Sequence, residues 1–217
     1  MSKLFHKEIS LCTQAVTWGL LAAVLLTLIP GYPILVGTFL VCLGIFHSFQ
    51  YTNESNDILY SVLLPVRKRD VVRAKYVKVL LFEGIAFVIT AVLTVIRMTL
   101  MADAGPYVTN PMMNATPYFL ACVLLVFTAF NVLFVGGFFK TAWKVGMPFL
   151  RFGIAAFLLV AIAEVLHHIP GLTFLNEPGG AWLELQLVML VLAALIFAAA
   201  TWISCKVSIK RFEKIDL

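Results

Sequence analysis

The ionisable residues at the end of one apolar stretch are the first candidates for metal binding or catalysis. Glu164, His167 and His168 place a carboxylate and two imidazoles on adjacent turns of a predicted helix, and such groups can bind a metal ion. Their spacing does not match the His-Glu-x-x-His pattern of metallopeptidases, and the sequence identifies no further ligand group. We therefore predict no metal site in this chain.

Three other polar residues lie inside apolar stretches, where such groups are costly and usually face protein or water. Glu83 is either a structural partner for a nearby Lys or Arg or part of a transport pathway. Arg97 either reaches water along the lipid or is held by a carboxylate from a neighbouring helix. Asn131 is expected to hydrogen-bond another helix.

The segment most similar to a nucleotide-binding loop is Gly-Gly-Phe-Phe-Lys-Thr at residues 136–141. A phosphate-binding loop requires glycine directly before the lysine, and Phe139 occupies that position. We therefore predict that this chain binds no nucleotide and no other cofactor.

The elements that position these residues are membrane spans. The chain is 62% hydrophobic and only 12% charged, and its mean hydropathy is +0.99. About 18 apolar residues are needed to cross a bilayer as a helix. Six such runs predict an all-α integral membrane protein, folded as one domain over residues 1–217, with spans at about 11–29, 33–51, 79–102, 117–139, 147–167 and 182–205.

The distribution of basic residues predicts the orientation of the spans. Of the 16 Lys and Arg residues, all except Arg97 lie in the N-terminal segment, between spans two and three, around the loop between spans four and five, or in the C-terminal tail. Positive charge near a span stays on the cytoplasmic side. Both termini are therefore predicted to be cytoplasmic, and the net charge of +5 is expected to contact anionic lipid, with no nucleic acid as partner.

A polar cluster is predicted at the outer ends of spans three, five and six. Counting about 1.5 Å per helical residue from the inner ends places its members in the outer third of the membrane. An Arg97 paired with a carboxylate there would close an outer gate. The members are Arg97, Glu164, His167 or His168, and Glu184.

The loop between spans two and three has the pattern of a short surface helix. Asn56 is one of the residues that can cap it, Ile58 and Leu63 are among the residues predicted to share its apolar face, and Pro65 ends it. A solvated basic loop is the alternative interpretation. At the N-terminus, residues 2–10 similarly predict an interfacial helix, with a frayed terminus as the alternative.

This loop closely resembles that of bacterial ABC-2 type transporter permeases, through the pattern Asn56-Asp57-x-Leu59-x-Ser61-x-Leu63-Leu64-Pro65-Val66-x-Lys68-x-Asp70-Val71-Val72-x-Ala74-Lys75-Tyr76. The resemblance implies that residues 56–64 form a coupling helix that binds a separate ATP-binding subunit, which holds ATP and Mg²⁺. It also implies a second permease copy, identical or related. The implied partner-binding residues are Asn56, Asp57, Ile58, Leu59, Val62, Leu63, Leu64, Pro65, Arg67 and Lys68.

Three functions compete at this point. The first is the membrane subunit of an ATP-driven exporter in the bacterial cytoplasmic membrane, with an amphipathic or hydrophobic substrate such as a peptide, a drug or a lipid-like molecule. The second is a six-span substrate-capture subunit of an importer, which would bind its ligand alone. The third is an intramembrane enzyme that uses Glu164 and the histidines.

Overall fold

The computed structural model describes residues 2–63, 66–141, 143–180 and 182–215, and only the backbone of residues 2, 3, 59 and 62. The described chain is mainly helical. Its helices are α1 (Ser2–Ser10), α2 (Ala15–Leu21), α3 (Leu35–Glu54), α4 (Asp57–Leu63), α5 (Lys68–Thr99), α6 (Gly105–Val108), α7 (Pro117–Ala129), α8 (Gly136–Phe138), α9 (Gly146–Leu166) and α10 (Leu183–Glu213).

Five helical segments of the described chain are long and apolar enough to cross a membrane: α3, α5, Pro117–Phe138, α9 and α10. They coincide with predicted spans two to six to within a few residues at most ends. The exceptions are α5, which begins at Lys68 rather than near residue 79, and α10, which continues to Glu213 rather than ending near residue 205. These extensions are too polar to meet a hydropathy threshold, but they continue the same helices.

The first predicted span differs from the structure. Helix begins only at Ala15 and passes at Ala22 into a 3₁₀-helix that ends at Leu28, whereas residues 11–14 are not helical. The segments Leu4–Ser10 and Ala15–Leu28 are bent by 81° relative to each other, and together they qualify as a sixth, broken span. The prediction of one continuous helix over residues 11–29 is therefore wrong.

Helix α7 lies at the centre of the bundle. The Thr116 side chain caps it by accepting a hydrogen bond from the Phe119 N–H, and Pro117 occupies its first turn, where the missing N–H has no cost. The helix packs against α3, α5, α9 and α10. Phe130 and Phe134, in the π-helical segment Phe130–Val135, extend this core through edge-to-face contacts with aromatic rings of α3 and α9.

Helix α2 and the following 3₁₀-helix lie close against α3 because two glycines face them. A Cβ atom on Gly37 would lie 2.6 Å from the Ala23 carbonyl oxygen, and one on Gly44 would lie 3.0 Å from the Leu20 Cβ. The Thr17 hydroxyl donates to the Gly44 carbonyl oxygen at 2.9 Å. Small residues at such contacts allow membrane helices to approach closely.

A tight turn joins α3 to α4. Asn56 has φ 51°, in the left-handed region that asparagine tolerates better than most residues. This conformation ends α3 and starts α4 after only Ser55 and Asn56, and it fixes which side of α4 faces the bundle.

Candidate functional site

Helix α4 has one buried face and one exposed face. Ile58 packs into the hydrophobic core and Ser61 is fully buried. Tyr60 and Leu63 are 60% and 78% exposed. Residues three apart share a helix face, so Tyr60 and Leu63 form one apolar surface that points away from the protein.

The buried face of α4 is held by α1. The Lys7 ammonium donates to a carboxylate oxygen of Asp57 at 2.7 Å and to the Ser61 hydroxyl at 2.5 Å. Lys75, in α5, donates to the other carboxylate oxygen of Asp57 at 3.5 Å. Helix α4 is thus tied to both the N-terminal helix and the start of α5.

Glu8 links α1 to α5 directly. Its carboxylate accepts hydrogen bonds from Lys75 at 2.9 and 3.1 Å and from Lys78 at 2.9 Å, and all three side chains are buried. Charged groups are rarely buried unless they are paired, and here each lysine reaches an acid. We call Lys7, Glu8, Asp57, Lys75 and Lys78 the inner charge cluster.

The electrostatics of this cluster keep Glu8 ionised. Burial alone would raise the pKa of Glu8, which lies in α1 outside the long apolar helices. The neighbouring Lys75 and Lys78 outweigh burial through their charges and hydrogen bonds, and they lower the pKa from 4.5 to about 2. Glu8 therefore remains ionised at neutral pH.

The structure divides the predicted partner-binding residues into two groups. Asn56, Leu63 and Arg67 are exposed. Ile58, Asp57 and Lys68 are turned inward, the last donating to the Ile215 carbonyl oxygen at 2.6 Å. Leu64 and Pro65 lie outside the described residues, as do the side chains of Leu59 and Val62.

The expectation that Ile58 and Leu63 share one face is wrong. Five helical residues rotate the chain by about 140° beyond a full turn, at about 100° per residue. Tyr60, which the sequence interpretation did not select, takes the place of Ile58 beside Leu63 on the exposed face.

The sequence interpretation also missed most of the inner charge cluster. That interpretation places Lys7 in an interfacial helix and gives Glu8 no role. It treats Lys75 and Lys78 only as part of the basic loop. The available signal was weak: Lys75 and Lys78 lie three residues apart on one helix face, and a carboxylate was needed to bury them.

A second polar network lies inside the apolar bundle. The Asn131 amide donates to Glu83 at 2.9 Å and to the Thr201 hydroxyl at 3.2 Å. The Ser204 hydroxyl donates to the Asn131 carbonyl oxygen at 2.9 Å and lies 2.8 Å from the Tyr76 hydroxyl. The network joins α5, the π-helical segment and α10, so the prediction that Asn131 hydrogen-bonds another helix is confirmed.

The partner of Glu83 differs from the expected one. A nearby Lys or Arg was predicted, but Lys78 bonds to Glu8 and the Glu83 carboxylate accepts from Asn131. Lys78 precedes Glu83 by five residues and so lies about 140° away around α5. The fully buried Glu83 acts as a hydrogen-bonded link between helices.

At the opposite end of α5, Arg97 binds two other segments. Its guanidinium donates to the Thr27 carbonyl oxygen at 2.7 Å and to the Asn114 side-chain oxygen at 3.2 Å, and it lies 4.4 Å from the ring centre of Tyr107. The side chain is buried, with 5% of its surface exposed. Arg97 therefore does not extend into water.

The predicted outer cluster is only partly brought together. A Glu164 oxygen accepts from the Met113 N–H at 2.8 Å and lies 3.5 Å from the His167 ring nitrogen, and the rings of His167 and His168 are 4.1 Å apart. Among the described residues no ion pair within 4.0 Å joins Arg97 to Glu164 or Glu184. Neighbouring residues, Met113 and Asn114, bind Glu164 and Arg97 respectively.

The predicted carboxylate partner of Arg97 is thus replaced by a backbone carbonyl and an amide. Glu184 lies exposed in the first turn of α10. The physical reason is that the segment around Met113 and Asn114 packs between α5 and α9 and supplies polar groups to both.

Two groups of side chains could offer ligand atoms to a metal ion: Glu164, His167 and His168, and Glu8, Cys12 and Asp57. In both groups the carboxylates already accept hydrogen bonds from protein donors. These bonds account for the positions of the carboxylates without a metal ion, and we assign neither group a catalytic role.

Apolar helices of membrane-spanning length around a buried polar network define a polytopic membrane protein. The short amphipathic helix α4 lies between α3 and α5, the first two of the five long apolar helices. The chain belongs to the ABC-2 transporter family, because the family model described as "ABC-2 family transporter protein" matches residues 3–213. Comparison with curated proteins and with solved structures gives no significant match.

Proposed function

We propose that this protein is the membrane subunit of an ATP-driven ABC exporter, and that a separate subunit supplies the ATP-binding site and Mg²⁺. The observation that carries the proposal is the exposed apolar face of α4, Tyr60 and Leu63, on a helix fixed to the bundle by the inner charge cluster. An apolar surface on a rigid helix can bind a partner and transmit its motion to α1 and α5.

The positions of the chain ends support a cytoplasmic location for both termini. Helix α1 contacts the start of α5 through Glu8 and Lys75, and the Ile215 carbonyl near the C-terminus accepts from Lys68 at the same start of α5. This end of the bundle carries nearly all the basic residues, which favours the cytoplasmic side of a bacterial cell membrane. The bent first segment then acts as an interfacial helix followed by a short span.

The outward faces of α9 and α10 support a second permease copy, identical or related. Phe157 and Leu158 of α9 and Leu195 and Trp202 of α10 are among many exposed apolar side chains there. A groove of about 440 Å³ between α5 and α10 ends at Arg73. Lipid and a second copy would together cover these faces, and an amphipathic or hydrophobic substrate fits a pathway of this character.

Copurification tests the proposal. The tagged protein, extracted from its native membrane in mild detergent, is expected to retain an ATP-binding subunit in stoichiometric amounts. Hydrolysis of ATP by that complex should require the copurified ATP-binding subunit. Recovery of the chain without any ATPase, together with tight binding of a small molecule by the chain alone, would favour the substrate-capture function instead.

A further inference from the structure

Arg97 is a buried cation without a described counter-ion. Only 5% of its surface is exposed, and in the described part of the chain no carboxylate lies within 4.0 Å of its guanidinium. The lysines at the other end of α5 are also buried, but they reach Glu8. A buried charge at a membrane boundary normally has a partner of opposite sign.

The guanidinium retains donors for such a partner. It carries five N–H groups, and its described hydrogen bonds, to Thr27 and Asn114, use two of them. These bonds and the ring of Tyr107 hold the planar group in place. A fixed guanidinium is suited to binding a phosphate with two parallel hydrogen bonds.

A cavity lies directly against Arg97. Its volume is about 200 Å³, whereas about 10–15 Å³ suffices for one water molecule, so it has room for a phosphate group. Arg97, Tyr107 and Asn114 form its polar part. Met101, Ala102 and Val108 are among the residues of its apolar part.

The acidic residues near this cavity in sequence do not neutralise Arg97. Asp103 and Glu177 are both exposed, and water and salt screen charges at such positions. Arg97 lies two residues before the end of α5. This is the depth at which lipid headgroups meet the ends of membrane helices.

We propose that the cavity beside Arg97 is a binding site for a phosphate group, with the headgroup of an anionic phospholipid as its source. The apolar residues of the cavity then contact the glycerol and first acyl carbons, and Arg97 supplies the missing positive partner. This inference concerns equilibrium binding and does not depend on the proposed export function.

The test uses the purified full-length protein in neutral detergent. Binding is measured from the rise in thermal midpoint with increasing phosphatidylglycerol, with diacylglycerol of the same acyl chains, and with inorganic phosphate. The variants are Arg97→Gln, Arg97→Lys, and Ala102→Leu, which keeps the charge but fills the cavity. Arg151→Gln, an exposed arginine at the start of α9, is the control.

We expect phosphatidylglycerol to bind Arg97→Gln at least about tenfold more weakly than wild type. This factor corresponds to the loss of one charge-assisted hydrogen bond, about 1.4 kcal/mol. Ala102→Leu should weaken binding similarly, Arg97→Lys less, and Arg151→Gln and diacylglycerol should show no such dependence. If Arg97→Gln does not fold, Ala102→Leu carries the test.

Two further outcomes identify the source of the phosphate group and test whether the site exists. Arg97-dependent binding of inorganic phosphate, without binding of phosphatidylglycerol, would support the phosphate site and assign it to a free anion. Equal binding of all phosphate compounds by wild type, Arg97→Gln and Ala102→Leu would overturn the proposal. A general stabilising effect of phosphate salt would be the same in every variant and would not imitate the expected result.

Discussion

The inner charge cluster makes Glu8→Gln the most informative substitution for stability. The change keeps the size of the side chain but removes the charge that Lys75 and Lys78 share. Both lysines are fully buried, and only Lys75 has a second described acid, Asp57 at 3.5 Å. The variant therefore leaves Lys78 as a buried cation with no acid in the described chain.

The cost follows from two arguments. The fall of the pKa of Glu8 from 4.5 to about 2 corresponds to about 3 kcal/mol, at about 1.36 kcal/mol for each pH unit. Breaking a buried ion pair by removing one partner costs about 3–5 kcal/mol. For a chain of this size, about 3 kcal/mol lowers the thermal midpoint by about 6–12 °C.

The pH dependence has a defined sign. Since the folded pKa of Glu8 lies below its unfolded value, its contribution is complete above about pH 4.5 and is lost as the pH falls towards 2. The difference in thermal midpoint between wild type and Glu8→Gln should therefore be largest at neutral pH and shrink below pH 4.5.

Thermal unfolding in lipid nanodiscs measures both effects. Glu54→Gln, an exposed acid at the end of α3, is the matched control and should stay close to wild type. The double variant Glu8→Gln with Lys78→Met should recover part of the loss, because it removes one unpaired charge. A midpoint for Glu8→Gln equal to that of wild type at pH 7 would refute this account of the cluster.

Two other predictions concern the bundle. Gly37→Ala should lower the free energy of unfolding by about 1–3 kcal/mol, because its Cβ would lie 2.6 Å from the backbone oxygen of Ala23, whereas Gly84→Ala, with nothing within 4 Å, should be neutral or stabilise by up to about 1 kcal/mol; equal thermal midpoints would contradict this. Asn131→Ala should cost about 2–4 kcal/mol because it leaves the buried Glu83 carboxyl without its described donor, and Thr128→Ala, whose hydroxyl bonds only within its own helix, should cost less.

Most long helices were predictable because the length of an apolar run decides where a membrane-spanning helix lies. The length of the apolar run places spans four and five within one residue at each end. Thr116 and Pro117 start the fourth span, and both spans end where polar residues begin. The same criterion fails at residues 68–78, where α5 continues as a polar helix. It also fails at residues 11–14, where the chain is not helical and bends between α2 and α1, the helix that brings Glu8 to Lys75.

The candidate sites were harder to predict because their partners are distant in sequence. Glu8 and Lys75 are 67 residues apart, and no local pattern joins them. Arg97 binds a backbone carbonyl, which every residue carries, so the sequence has no signal for Thr27. The inward side of α4 could be predicted in part from the sequence, because helical rotation separates Ile58 from Leu63. The turn at Asn56 fixes which of the two is buried.

The central claim is that the exposed face of α4 receives an ATP-binding subunit. The most direct test is the rate of ATP hydrolysis by the reconstituted complex with wild type, Leu63→Asp, or Leu100→Asp, a control that is similarly exposed at the far end of α5. Burying one Leu side chain is worth about 1.5–3 kcal/mol. Leu63→Asp should therefore weaken partner binding by about tenfold or more and abolish permease-dependent hydrolysis, while Leu100→Asp retains it. Equal partner binding and equal hydrolysis by Leu63→Asp and wild type would contradict the claim.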